Sequence, residues 1–457
     1  MKRMFITFIL ICCSILLSSC GYKTPKKLDI DKFQLENSIN EAKDEKELES
    51  DISDISVKED NSMTSKAQNG QNIDYLLRNK KYLQKNESLA NFSLGAGNLS
   101  RTFKTVVPEK FNVDIRYNKY LMPYDYYMFT VDTVDIYNKP SYNGNVLGKA
   151  KMYDKVKLLN EVNGDKIKNM NSNKWFGINW YDKNGNLLEG FVPSGTGSVR
   201  TFNFENMYTA IIDLEGKLKA GNYGYISNYK DENGSPPLMN GKALDEYDMQ
   251  AYQSAPAYAN LNDMTKFRYF PDGMLVSVLG EVKGYFKVKS TEYSGEYWIP
   301  KKYISFDDNL DTFAKAIVVD TTNQNQAAFE KRGDKWTLIS YALATTGVKD
   351  KIRYETPLGK FKVMEKKERF YYLDENLKEI SGYAPYGIRF SQGAYIHGIP
   401  VEFVVKNGKK TDPGIKEYLF TIGTVPRSHK CVRNYTSHAQ FLFNWADPND
   451  TAVIVIK

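Results

Sequence analysis

The sequence predicts a mainly β protein built from several domains. Residues 106–310 run as short alternating stretches of Tyr, Val and Ile broken by Gly and Asn, the period-two pattern of strands and turns, with little helical periodicity. The run Val401-Glu402-Phe403-Val404-Val405 ends shortly before Asn407-Gly408, a hairpin signal. A chain of 457 residues also exceeds what one hydrophobic core usually serves, so several domains are expected.

The N-terminus is a targeting segment. Met1-Lys2-Arg3 is basic, residues 4–17 are almost wholly apolar, and Leu17-Ser18-Ser19-Cys20 follows. The layout is that of a secretory signal. The apolar run falls short of the roughly 20 residues that a spanning helix needs. Leu17–Cys20 resembles a lipobox, which implies removal of residues 1–19, lipidation of Cys20 and an extracytoplasmic protein of the cell envelope, anchored to a membrane without spanning it. The other reading is an ordinary cleaved signal with an incidental cysteine. Cys12 and Cys13 leave with the signal either way, so Cys20 and Cys431 remain and no disulfide framework is expected. Residues 20–105 read as an acidic, partly disordered tether. Within 29–60, 12 Asp and Glu stand against four Lys, too much like charge for a packed core. Apolar residues there recur at loosely helical spacing, so a transient helix or coiled coil is the other reading.

Two stretches of the middle resemble bacterial SH3 domains. In the first, expected over 106–204, Val134-Asp135-Ile136-Tyr137-Asn138-Lys139-Pro140 opens the pattern, Trp175-Phe176-Gly177-Ile178 continues it, and Gly190-Phe191-Val192-Pro193 closes it. In the second, over 205–310, Ser254-Ala255-Pro256-Ala257-Tyr258 opens it and Tyr297-Trp298-Ile299-Pro300 closes it. The parallel endings argue for an internal repeat. The resemblance implies two small β-barrels of a kind that binds wall peptides or glycans. Trp175, Trp180, Tyr297 and Trp298 are candidates for stacking on such a ligand, or are core residues, the commoner use of aromatics in small barrels.

The chemistry gathers in residues 311–457. The chain has three histidines, His397, His429 and His438, and all lie near the C-terminal end with Cys431 among them. A lone cysteine with scarce histidines close by is the composition of a thiol nucleophile and its imidazole base, because the thiolate is the reactive form and an imidazole can take the proton. The alternative, a core thiol, has the composition alone on its side. His438 reads as structural, on a helix over Thr436-Ser437-His438-Ala439-Gln440-Phe441-Leu442-Phe443 capped by Thr436 or Ser437. A zinc site from His397, His429, Cys431 and His438 lacks both a His-x-x-x-His helix pair and a Cys-x-x-Cys pair, so neither metal nor cofactor is expected.

Ser428-His429-Lys430-Cys431-Val432-Arg433 resembles the Ser-His-Gly-Cys signature of YkuD-type L,D-transpeptidases. Tyr395-Ile396-His397-Gly398, Tyr386-Gly387-Ile388-Arg389-Phe390, Thr356-Pro357-Leu358-Gly359-Lys360-Phe361 and Ala316-Ile317-Val318-Val319-Asp320 match further family motifs in the family's order. The resemblance implies a β-sandwich catalytic domain that joins peptidoglycan stem peptides through a cysteine thioester. By the same resemblance Cys431 is the nucleophile, His397 the base, and Gly398 the carbonyl that orients it. His429 lines the cleft. Backbone N–H groups of Lys430 and Cys431 form the oxyanion hole. Ser428, Arg433, Tyr386 and Lys430 contact substrate, Arg433 having a structural brace as its equal alternative. Two departures stand out. Lys430 replaces the family's Gly, at a position where positive φ or close backbone approach favours Gly; its side chain either narrows the cleft or holds an acidic stem peptide. The segment between His397 and Ser428 is also longer than the family's, and its extra hairpin is either a rim on the site or a solvated insertion.

Two other functions fit parts of this pattern. One is a cysteine peptidase of the NlpC type, acting on wall peptides; that family places its Cys before its His, whereas His397 precedes Cys431. The other is a wall-binding lipoprotein whose catalytic domain has decayed. The net charge of +7 suits an anionic envelope, and no basic cluster or helix-turn-helix pattern points to nucleic acid.

Overall fold

A computed structural model describes residues 99–457, except 183, 220, 291, 351–352 and 374–378. The signal segment 1–19, Cys20 and the tether up to residue 98 lie outside the described residues. The last tether residues belong to the fold: Leu99–Thr102 pairs antiparallel with Lys155–Asn163.

The described chain is mainly β, as predicted. Its first two sheets are duplicates in topology. The first has the strands Asp125–Phe129, Thr133–Tyr137, Val146–Lys151, Lys155–Asn163, Lys174–Tyr181, Leu187–Pro193 and Gly197–Thr201. The second has Tyr223–Ile226, Ser254–Asn260, Asp263–Pro271, Leu275–Val282, Tyr285–Ser290, Tyr297–Pro300 and Ile304–Ser305. Numbered along the chain, both sheets run third, second, sixth, fifth, fourth, first, seventh across the sheet. The Gly-Phe-Val-Pro and Tyr-Trp-Ile-Pro endings both fall on the sixth strand, so the parallel read in sequence marks the same place in each module. Trp175 is fully buried and donates its indole N–H to the Asp165 carbonyl at 2.9 Å, a core role; Trp180, Tyr297 and Trp298 are half-buried.

The strand-rich reading of the middle missed one helix, α1 (Phe204–Lys219). Its buried residues Phe204, Met207, Ile211 and Leu214 follow a 3.6-residue period and join a cluster with Phe329, Trp336 and Tyr341 of the C-terminal domain. Glu215 on α1 pairs with Lys331 and accepts the Trp336 indole N–H at 3.2 Å.

The C-terminal domain contains β1 (Lys315–Asp320), β2 (Asn325–Arg332), β3 (Lys335–Leu343), β4 (Gly359–Lys362), β5 (Glu365–Leu373), β6 (Ile380–Ser391), β7 (Ala394–His397), β8 (Val432–Arg433), α2 (Thr436–Trp445) and β9 (Thr451–Ile456). One sheet runs β3-β2-β1-β9-β4, with Asn112–Val113 added at its edge; the other runs β5-β6-β7-β8. Along β1, Ala316 and Val318 face the α1 cluster while Ile317 and Val319 face the second sheet, which is why the run is apolar without alternation. The second sheet and the second module share that inner core through Phe270, Met274, Ile388, Phe390 and Ile396.

The predicted hairpin forms between Val404–Lys406 and Lys409–Thr411. Asn407 and Gly408 have φ of 52° and 75°, the two positive angles that a two-residue hairpin turn of matching twist requires. The cap of α2 differs from the expectation: Tyr435 holds the N-cap without a side-chain cap bond, and the Glu417 carboxylate accepts the Ser437 N–H of the first turn at 3.0 Å. Thr436 lies one residue inside, where its hydroxyl accepts the Ile399 N–H at 2.9 Å and donates to the Lys416 carbonyl.

Candidate active site

The site forms where β7 and β8 lie side by side. These strands are parallel, with Ile396 opposite Val432 and His397 opposite Arg433. The pairing brings the end of β7, which carries His397, beside the loop that delivers Cys431. Gly398 follows at a tight junction, because a Cβ there would sit 2.9 Å from both Pro385 Cγ and Thr436 Oγ1.

His397 is buried, and its Nδ1 lies 2.6 Å from the Gly398 carbonyl oxygen. A carbonyl can only accept, so Nδ1 carries the hydrogen and Nε2 is left as an acceptor. Burial, with the nearby Arg433 charge, lowers the His397 pKa to about 3, so the ring is neutral near pH 7. Cys431 is 8% exposed, and its thiol lies 3.7 Å from the Gly393 carbonyl. Arg433, whose guanidinium is held below its ordinary value by burial, is drawn the other way by Cys431, so a thiolate there and the guanidinium stabilise one another. The Arg433 backbone exchanges hydrogen bonds of 2.8 and 2.9 Å with Thr345, locking β8 to the end of β3.

The loop before Cys431 is a tight turn. The Cys431 N–H donates to the His429 carbonyl at 2.7 Å across Lys430, which has φ of 61°. The positive φ is what the family's Gly predicted, and Lys430 adopts it as a non-glycine. Thr356 secures the turn: its hydroxyl donates to the Lys430 carbonyl at 2.7 Å and accepts the Gly347 N–H at 2.8 Å. Gly347 is essential to this packing, since a Cβ would meet the Lys430 nitrogen at 2.8 Å and the Tyr354 carbonyl at 2.5 Å.

These contacts alter the expected oxyanion hole. The Lys430 N–H donates to the Tyr354 carbonyl at 2.9 Å and the Cys431 N–H to His429, so both amides are already engaged. Ser428 is turned into the loop as well, its hydroxyl donating to the Cys431 carbonyl. Tyr386 faces α2, where its hydroxyl accepts from Gln440 at 2.9 Å and its ring lies 5.9 Å from Phe443. His429 packs against Tyr354 at 5.2 Å between ring centroids, and burial together with the Lys430 charge lowers its pKa to about 3. Its Nε2 has no hydrogen-bond partner among the described residues. The Lys430 ammonium lies 5.2 Å from the Tyr354 ring. His438 is buried away from the thiol, between Asn434 at 3.0 Å and Ser340 at 3.2 Å.

A cavity of about 360 Å³ adjoins this site. Lys430 and Gln392 border it, the chain neighbours of Cys431 and of the Gly393 that faces the thiol. Sequence reasoning missed Gly347, Tyr354, Gln392 and Gly393, because none belongs to a motif; only their positions in the fold bring them here.

The L,D-transpeptidase catalytic domain family, YkuD, matches residues 314–455. An L,D-transpeptidase from Mycobacterium smegmatis aligns at 14% identity over 40% of this chain and 82% of its own, with a TM-score of 0.25. A mutant Enterococcus faecium L,D-transpeptidase aligns at 20% identity over 32% of this chain and 50% of its own, with a TM-score of 0.22. A fused Zn-dependent amidase, peptidase and peptidoglycan-binding protein from Clostridium acetobutylicum aligns at 18% identity over 31% of this chain and 52% of its own, with a TM-score of 0.21. No curated protein matches the chain. Residues 314–455 are therefore an L,D-transpeptidase catalytic domain of the YkuD family, placed after two strand modules of common topology.

Proposed function

We propose that the protein is an L,D-transpeptidase that joins peptidoglycan stem peptides through a thioester on Cys431. The observation that carries this reading is the parallel pairing of β7 with β8, which sets His397 beside the Cys431 loop with its Nδ1 fixed on Gly398 and its Nε2 left to accept a proton. In the first step Nε2 takes the thiol proton as Sγ attacks a donor carbonyl. The amide C–N bond then breaks, and the departing amine leaves with the proton from the imidazolium. In the second step an acceptor amine gives its proton to Nε2 and attacks the thioester, and the thiolate leaves beside Arg433. Cys431→Ser should abolish product and His397→Gln should reduce it by at least about a hundredfold. Undiminished cross-linked muropeptides from Cys431→Ser would end the reading.

One observation supports a second reading, a wall-binding protein with a decayed catalytic domain. Both amides expected to hold the oxyanion are engaged elsewhere, and a tetrahedral intermediate needs donors aimed at its oxygen. A chain that binds wall fragments but never acylates would fit it.

The proposal extends to the N-terminus. Lipidation of Cys20 would place the enzyme at the membrane face of the wall, with the acidic segment giving reach. Cys20→Ala should move the protein out of the membrane fraction or leave it held by an uncleaved signal, while Cys431 reactivity persists; an unmodified N-terminus downstream of Cys20 in native protein would contradict this.

A further inference from the structure

We propose that the cavity beside Cys431 is a carboxylate-binding subsite for the peptide substrate and that Arg268, on the second strand module, reads the carboxylate. The inference rests on the transpeptidase reading for the identity of the substrate, and its chemistry rests on Arg268 itself.

Arg268 is only 9% exposed and lines the cavity. Its guanidinium carbon lies 3.4 Å from the Tyr293 ring centroid and 3.9 Å from that of Tyr247, so aromatic rings are stacked on it. Stacking occupies the faces of a planar guanidinium and leaves its edge for hydrogen bonds. Among the described residues its buried Nε has no hydrogen-bond partner, and Arg268 makes no ion pair. A buried cation in this state is costly unless something completes it. Asp245 and Glu292 attract it through space, but among the described residues neither bonds it. Asp245 takes the N–H groups of Tyr247, Met249 and Tyr269, and Glu292, whose pKa burial raises, makes no ion pair with Arg268.

The other charges of the cavity select the ligand. Lys349 pairs with Asp248 across the junction of module and catalytic domain, and Arg353 pairs with Asp350. Glu355 also lines the wall. With Arg268, Lys349, Arg353 and Lys430 against Asp248, Asp350 and Glu355, the lining carries one net positive charge, which a single carboxylate balances, and a carboxylate also forms the bidentate pair that arginine favours. The route to the thiol is short in the chain on both sides. Lys430 precedes Cys431, and Gln392 precedes Gly393 while its amide holds Tyr252 and Ser254 of the same module at 3.2 and 2.9 Å. The second module thus forms part of the catalytic cleft, and a peptide reaching Cys431 passes Arg268.

Binding to the Cys431→Ala chain tests this without any acyl transfer. The probe is a soluble stem tetrapeptide with free side-chain and C-terminal carboxylates, titrated calorimetrically beside its two monoamidated forms. We expect one amidation to weaken binding at least about tenfold and the other to change it little, which identifies the carboxylate that is read. In Arg268→Gln that difference disappears, and in Arg268→Lys it is partly restored. Equal binding of all three peptides, discrimination that survives in Arg268→Gln, or no saturable binding of the parent peptide overturns the proposal. The comparison of peptides on a single protein keeps the outcome independent of any folding defect in the variants. Failure of the transpeptidase reading would appear instead as an unreactive Cys431 in a chain that still discriminates.

Discussion

His397 and Cys431 can meet as a neutral pair or as a preformed ion pair, and burial favours the first. With its pKa lowered to about 3, His397 is unprotonated near neutral pH, and in the proposed mechanism it takes a proton only as the thiol reacts. Alkylation of Cys431 by iodoacetamide should therefore rise with pH along a single limb with no inflection near 6.5. An inflection there that vanishes in His397→Gln would show that the imidazolium is populated. Lys430 offers a second residue-scale test. A non-glycine at φ 61° carries strain of about 1 kcal/mol, and a β-branched residue carries more. Lys430→Gly should alter stability by less than about 1 kcal/mol in urea denaturation, whereas Lys430→Val should cost about 2 kcal/mol. Equal stability of the two variants would remove backbone strain from the account. The turn's shape was readable in advance because the family's Gly marks a backbone demand. The engagement of the Lys430 and Cys431 amides was not, since their acceptors, Tyr354 and His429, follow from loop packing.

At the scale of elements, α2 supplies a titration as well as packing. His438 sits on it between Asn434 and Ser340, and burial lowers its pKa to about 3, as it does for His397 and His429. Below pH 6.5 the unfolded chain binds protons that the folded chain refuses until about pH 3. Stability is therefore full above pH 6.5 and declines as the pH falls toward 3, each group contributing a slope of up to about 1.4 kcal/mol per pH unit. Urea unfolding at pH 7.5 and 5 should show the decline, and His438→Gln should make it shallower; identical pH dependence in both proteins would rule His438 out as a contributor. The helix was legible in the period of its apolar residues, but its cap was not, because the Thr436 hydroxyl is used by Ile399 and Lys416 on the neighbouring loop. The 401–411 hairpin was legible from Asn407-Gly408 alone, because few residue pairs accept two positive φ angles. Helix α1 went unread although its period is regular, since Tyr- and Asn-rich strands surround it and its apolar face is buried against the distant strands β2 and β3.

Across the whole molecule, the second module is fastened to the catalytic domain by a buried charge. Arg389 of β6 reaches Asp272 of the module at 2.7 Å and Glu365 of β5 at 2.9 Å. Burial raises the Asp272 pKa despite the guanidinium, so the pair is costly to leave half made. Asp272→Asn should destabilise the protein by about 3 kcal/mol, and adding Arg389→Met should cost less than the sum of the single changes. Strict additivity would mean that the pair is not coupled. The duplicated strand order was announced by the Gly-Phe-Val-Pro and Tyr-Trp-Ile-Pro endings, yet nothing in the sequence indicated that one copy would border the thiol, because that depends on Gln392 and Arg389 meeting residues more than a hundred positions away. The central claim is that Cys431 is an acylating nucleophile, and the most direct test is intact mass after incubation with a carbapenem, followed by peptide mapping. The account predicts one covalent adduct located on Cys431, absent from Cys431→Ser and formed at least about a hundredfold more slowly in His397→Gln. An unmodified wild-type protein, or an adduct that persists in Cys431→Ser, would contradict it.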